Sequence, residues 1–187
     1  MIIIFDTETA DFPSKSGYKP TMMQLAYAVF DADGNQVHSH CTYVKPPAGG
    51  FKISDGAFNA HGITNQVCQE KGSEIVEVLH NFCGWLEKAT HVVAHNIEFD
   101  LAVIVLEMTE HKIRPKSKGY TKIDTMKPMT DILKIPSPRG FGFKRPSLQE
   151  LHKFCFGVGF EDAHDALVDV NATAKCYFEL RKMGHVQ

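Results

Sequence analysis

Asp6 and Glu8 stand two residues apart, directly after the apolar run Met1-Ile2-Ile3-Ile4-Phe5. A short run rich in β-branched residues reads as a buried strand, and residues two apart on a strand share a face. Two carboxylates side by side at the end of a core strand raise each other's pKa unless a cation neutralises them. The simplest cation is a bound metal, so the pair reads as half of a metal site. Two more carboxylates stand where other elements should begin. Asp100, in Ala94-His95-Asn96-Ile97-Glu98-Phe99-Asp100, falls in the first turn of a helix that follows a short apolar strand. Asp169 falls one turn into the last helix if Asp165 caps it. His164 then lies in the preceding loop, where it can swing toward a site that Asp169 faces. Two divalent cations would neutralise these four carboxylates, and all-oxygen donors suit Mg²⁺ or Mn²⁺ rather than zinc.

The elements that must position these groups follow from periodicity and punctuation. Residues 22–30 and 36–44 read as two strands around the turn Asp31-Ala32-Asp33-Gly34-Asn35, whose Asp-Gly is a hairpin signal. With the first strand they form an antiparallel meander. Ile75, Val76, Leu79, Phe82 and Leu86 recur at helical spacing over 73–88. Residues 91–95 form a short buried strand, and Asn96 is placed to cap the helix that runs to about Glu110. Residues 122–125 form a fifth short strand. Ser147 and Glu150 fit a capping box for a helix over 147–154. The last helix opens at Asp162 or Asp165 and ends near Met183-Gly184. Three strands followed by alternating helix and strand predict an α/β fold. Its central mixed five-stranded sheet joins a three-strand meander to two parallel strands, flanked by helices.

The chain has 187 residues, a length that suits one domain over 1–187. No apolar stretch approaches the roughly 20 residues that cross a bilayer, and the start lacks the pattern of a signal peptide. The expectation is a cytoplasmic protein without a membrane partner. Cys41, Cys68, Cys83, Cys155 and Cys176 are scattered, which suggests reduced thiols rather than a disulfide or zinc framework. The net charge of −2 hides an asymmetry. Residues 111–145 carry ten of the 20 Lys and Arg, against only Asp124 and Asp131. A basic segment beside an acidic metal site suits a polyanion, although a lysine-rich loop can also serve solubility alone.

Phe5-Asp6-Thr7-Glu8-Thr9, Ala94-His95-Asn96 through Asp100, and His164 through Asp169 resemble the three exonuclease motifs of the DnaQ-like DEDDh superfamily. His61-Gly62-Ile63-Thr64 and Asp124-Thr125 also look like that family, and the resemblance covers nearly the whole chain. The four residues between His164 and Asp169 match the histidine subclass. The resemblance implies a ribonuclease H-like fold and 3′-to-5′ hydrolysis of nucleic acid to nucleoside monophosphates. It implies that Asp6 bridges two Mg²⁺ (or Mn²⁺), that Glu8 and Asp169 hold the first, and that Asp100 holds the second. It implies His164 as general base. The expected partner is a single-stranded DNA or RNA 3′ end, DNA being favoured, with a polymerase or other replication or repair protein as a possible associate. An exoribonuclease acting on short RNA or RNA 3′ ends, and a non-catalytic binding module of the same fold, are the alternatives.

Substrate-side expectations are Thr7 and Thr9 at the terminal nucleotide, His61 at the rim, and Asn96 as either a contact or only a cap. His95 reads as structural. Ala10-Asp11 departs from the glycine that often follows the position of Thr9 in the family. The segment Arg139-Gly140-Phe141-Gly142-Phe143 either tucks its rings into the core, the default for phenylalanine, or offers them to unpaired bases.

Overall fold

A computed structural model describes residues 1–11, 20–116, 119–161 and 165–187. The apolar start forms β1 (Ile2–Thr9), which continues through the acidic pair rather than ending before it. It pairs antiparallel with β2 (Met22–Phe30), and β2 pairs antiparallel with β3 (Gln36–Tyr43). On its other side β1 pairs parallel with β4 (His91–Ala94), which pairs parallel with β5 (Thr121–Asp124). The sheet order β3-β2-β1-β4-β5 is the mixed five-stranded arrangement that the sequence predicts.

Helices cover both faces, as a parallel centre requires. Ile3 and Phe5 of β1 pack with Val78 and Phe82 of α3 (Ile75–Leu86) and with Leu101 and Ile104 of α4 (Ile97–Glu110). Ile2 and Ile4 point the other way, onto Ala166 and Val170 of α7 (Ala166–Lys182). The period-two alternation of β1 thus assigns one helix layer to each face. α6 (Leu148–Phe156) packs on the later turns of α7 through Leu151, Cys176 and Leu180.

Caps set most helix starts. Ser147 and Glu150 form the expected capping box on α6, and Asp165 accepts the N–H groups of Leu167 and Val168 at α7. Three short helices were not anticipated: α1 (Asp55–His61), α2 (Asn65–Lys71) and α5 (Thr130–Leu133). The first two are capped by Ser54 and Thr64. Those caps were the available signal, but seven-residue helices give little periodicity to read.

Glu107 of α4 is 4 % exposed, and its Oε1 accepts the N–H of Met22 at 2.9 Å where β2 begins. Burial raises its pKa. Glu107→Ala would leave the Met22 N–H buried without that partner, so a loss of about 1–3 kcal/mol in chemical denaturation is expected. Glu107→Gln, which keeps an acceptor, should lose less.

Candidate metal centre and active site

The parallel pairing of β1 with β4 stops at Ile4 and Val93, although β1 runs on to Thr9. The chain turns away from β4 into α4 at Asn96, so β1 runs on past its parallel neighbour at the carboxyl ends of the two strands. Ligands gather outside such ends, where neighbouring strands send their connections in opposite directions.

Asp6 and Glu8 project on the same side as Ile2 and Ile4, toward α7. Asp169, in the first turn of α7, meets them there. One carboxylate oxygen from each of the three lies within 4.8 Å of the others. Oxygens around a single Mg²⁺ stand roughly 3–4 Å apart, so small rotations bring the three onto one cation.

Asp100 approaches from the opposite face. It is 2 % exposed, and its Oδ1 accepts both the backbone N–H of Thr7 at 3.0 Å and the Thr7 hydroxyl at 2.7 Å. Two donors on one oxygen fix the orientation of the carboxylate. Asp100 is not one of the three acids within 4.8 Å, but it is tied to the residue between Asp6 and Glu8, and its charge raises the pKa of both.

The electrostatics bear on whether a cation fits. Burial, then the charges of Asp100, Glu8 and Asp169, hold the pKa of Asp6 well above the carboxylate range. Burial, then Asp169 and Asp100, push Glu8 up to about 8. Burial pushes Asp100 up to about 7 against the lowering effect of the Thr7 bonds. No lysine or arginine among the described residues forms an ion pair with Asp6 or Glu8. Such a cluster holds protons until a divalent cation displaces them, and its hard oxygen donors fit Mg²⁺ or Mn²⁺.

The substrate-side expectations fare differently. Thr7 is buried and commits its backbone N–H and its hydroxyl to Asp100, whose carboxylate it orients. Thr9 is also buried, and its hydroxyl donates to the carbonyl of Asp11 at 2.8 Å. His61 accepts the N–H of Ile63 at Nδ1 and donates from Nε2 to the carbonyl of Thr9. Both nitrogens of a neutral imidazole are then in use, and the ring ties the end of α1 to the end of β1. Asn96 occupies the N-cap position of α4 but makes no side-chain cap bond. Its backbone is left-handed (φ 85°, ψ 50°), a conformation asparagine tolerates better than most residues. Oδ1 of Asp124 holds that turn by accepting the N–H groups of Asn96 and Met126. Asp124 is thus a bracing residue that its Asp-Thr motif alone did not assign. His95 is structural, as expected: its ring bonds the Thr125 hydroxyl and the Pro146 carbonyl. His164 lies outside the described residues.

A family model described as exonuclease, of the RNase T type, matches residues 3–177. The chain belongs to the DnaQ-like DEDDh exonuclease superfamily. Solved structures share this fold at low identity. The exonuclease I of Methylocaldum szegediense superposes with a TM-score of 0.78 at 22% identity, covering 97% of this chain. A zinc-bound complex of Escherichia coli exonuclease I with single-stranded DNA gives 0.76 at 20% identity, again over 97% of this chain. In both cases the match spans 40% of the longer protein. No curated protein sequence matches the chain. No helix among the described residues is long and apolar enough to cross a membrane.

Proposed function

We propose that this DEDDh domain hydrolyses single-stranded nucleic acid from the 3′ end, DNA in preference to RNA, releasing nucleoside monophosphates. The observation that carries the reading is the convergence of Asp6, Glu8 and Asp169 within 4.8 Å, with Asp100 oriented beside them by Thr7. The E. coli neighbour is a complex with single-stranded DNA, which supports that substrate. Two divalent cations at these carboxylates would neutralise charge on the scissile phosphate and activate the attacking water.

The chain's own residues do the rest. Asp6, whose carboxylate feels all three others, would be the ligand common to both cations. Thr7 keeps Asp100 from rotating out of it. Asn96, with its side chain free of capping duty at the rim, is the candidate contact to the terminal nucleotide. His164 takes the proton from the attacking water, a task that suits an imidazole with a pKa of about 6.5 near neutral pH.

A 5′-labelled DNA oligonucleotide with Mg²⁺ should give a descending ladder that EDTA abolishes. A ladder on RNA alone would move the assignment to an exoribonuclease, and no ladder on either would leave a binding module. His164→Ala should slow the ladder by about 10²–10⁴-fold while preserving the thermal shift produced by Mg²⁺. Full activity in that variant would remove His164 from the base role.

A further inference from the structure

Residues 135–144 form a small hairpin that the catalytic centre does not use. Pro136 and Phe143 bridge antiparallel, the N–H of Lys144 donates to the carbonyl of Ile135, and that of Ser137 to the carbonyl of Gly142. Gly140 (φ 82°) and Gly142 (φ 68°) turn the tip in a conformation that side chains resist. The tip is therefore built, and it holds Phe141 78 % exposed and Phe143 47 % exposed. The expectation that these rings tuck into the core is overturned.

A hairpin that keeps a phenyl ring in water forgoes about 2 kcal/mol of burial, which suggests an occupant. The surroundings say which kind. No acidic residue occurs between Lys134 and Pro146, where Arg139, Lys144 and Arg145 also lie. Lys144 is tied to Glu150 at 2.6 Å and braces the hairpin on α6. Arg139 and Arg145 are exposed, and neither forms an ion pair among the described residues. An exposed ring beside free guanidinium groups matches the two recognisable parts of an unpaired strand, base faces and phosphates.

The hairpin also springs from the correct end of the sheet. Its base is fastened to the rim of the site by the bond from His95 to the Pro146 carbonyl. Gln149, in the first turn of α6, bonds both backbone groups of Phe160 on the segment that leads to α7 and Asp169. On the same flank Lys127 pairs with Glu98 in the first turn of α4, two residues before Asp100.

We propose that the 135–144 hairpin is a guide for the single strand upstream of its 3′ end, with Phe141 stacking on a base and Arg139 and Arg145 holding phosphates. The proposal rests on the nuclease reading and names where the body of its substrate lies.

Binding is measured with Ca²⁺ in place of Mg²⁺, so that it does not depend on turnover. A long oligothymidylate should bind more tightly than a dinucleotide, which cannot reach the hairpin. In Phe141→Ala that advantage should shrink by about 5- to 150-fold, the range of one lost base stack. In Arg139→Ser the slope of log affinity against log salt should fall by about 0.7, one phosphate contact on a single strand. Phe141 is a surface residue, so its loss leaves the fold intact. An undiminished advantage in Phe141→Ala overturns the guide, as does an equal loss for the dinucleotide. So does loss of a co-purifying protein from Phe141→Ala while strand binding is kept, which would assign the hairpin to a protein partner. In any of these cases a DNA ladder from the wild-type protein would leave the nuclease reading standing. Hairpin-dependent strand binding without a ladder would sink the nuclease reading alone.

Discussion

Asp6→Asn is expected to abolish hydrolysis, by about 10³-fold or more, while making the metal-free protein more stable. The two halves of the result have one cause. Asp6 sits between Glu8 and Asp169 on one side and Asp100 on the other, and all three raise its pKa. The groups that raise it thus include all three of the other carboxylates. An amide of the same shape keeps the packing and needs no proton. Folding near neutral pH then no longer has to protonate Asp6, so the melting temperature without metal should rise. With the shared ligand weakened, the positioning and charge neutralisation that two cations supply are lost together, which justifies the size of the rate effect. The measurement is paired: ladder formation, and thermal melting with and without Mg²⁺. A variant that keeps its Mg²⁺-dependent shift and its ladder would show that Asp6 is not the shared ligand. One that loses activity and also melts lower without metal would point to a folding defect instead. Thr7→Val should fall between variant and wild type, because it removes the hydroxyl bond to Asp100 and leaves the backbone bond in place.

The carboxylates were legible in the sequence because strand alternation is strict. Once Ile2–Ile4 was read as a core strand, Asp6 and Glu8 had to share a face, and β1 bears that out. Asp100 and Asp169 were placed in first turns through the helix starts: Asp165 caps α7, and Asn96 holds the N-cap position of α4 without a side-chain bond. What lay between these landmarks was not legible. Thr7 faces away from Asp6 and Glu8, and only the arrival of α4 on that second face turns it into a donor for Asp100. The bracing bonds of His61 were hidden for a similar reason, since both of its backbone partners, Thr9 and Ile63, are set by the fold around α1. Asn96 was read in the correct position with the wrong geometry. Its left-handed turn depends on Asp124, which lies 28 residues later and on another strand. The choice between buried and displayed rings at Phe141 and Phe143 could not be made in the sequence, because the hairpin that displays them is set by Gly140, Gly142 and cross-strand bonds.

Without divalent cations, the protein should lose stability as pH rises through roughly 5 to 8, and Mg²⁺ should restore it most at the upper end. The sign follows from the raised carboxylates. In the unfolded chain Glu8 and Asp100 titrate near 4.5 and 3.8; in the folded protein they titrate near 8 and 7. Across that interval the folded state binds more protons than the unfolded state, so unfolding becomes easier as protons leave. Glu8 alone accounts for something on the order of 4 kcal/mol between the two ends. Because the four acids share one site, their effects overlap and the total is less than their sum. A divalent cation reverses the trend. It competes with protons for the same oxygens, so its affinity, and the stabilisation it confers, grow as the acids ionise. Melting curves in EDTA and in Mg²⁺ at several pH values should therefore diverge, nearly coinciding near pH 5 and lying furthest apart near pH 8. The Asp6→Asn protein should show a flatter curve in EDTA and little divergence. If wild-type stability in EDTA were level across this range, the acids would be ionised without a cation, and the site would have to hold a counter-charge of its own.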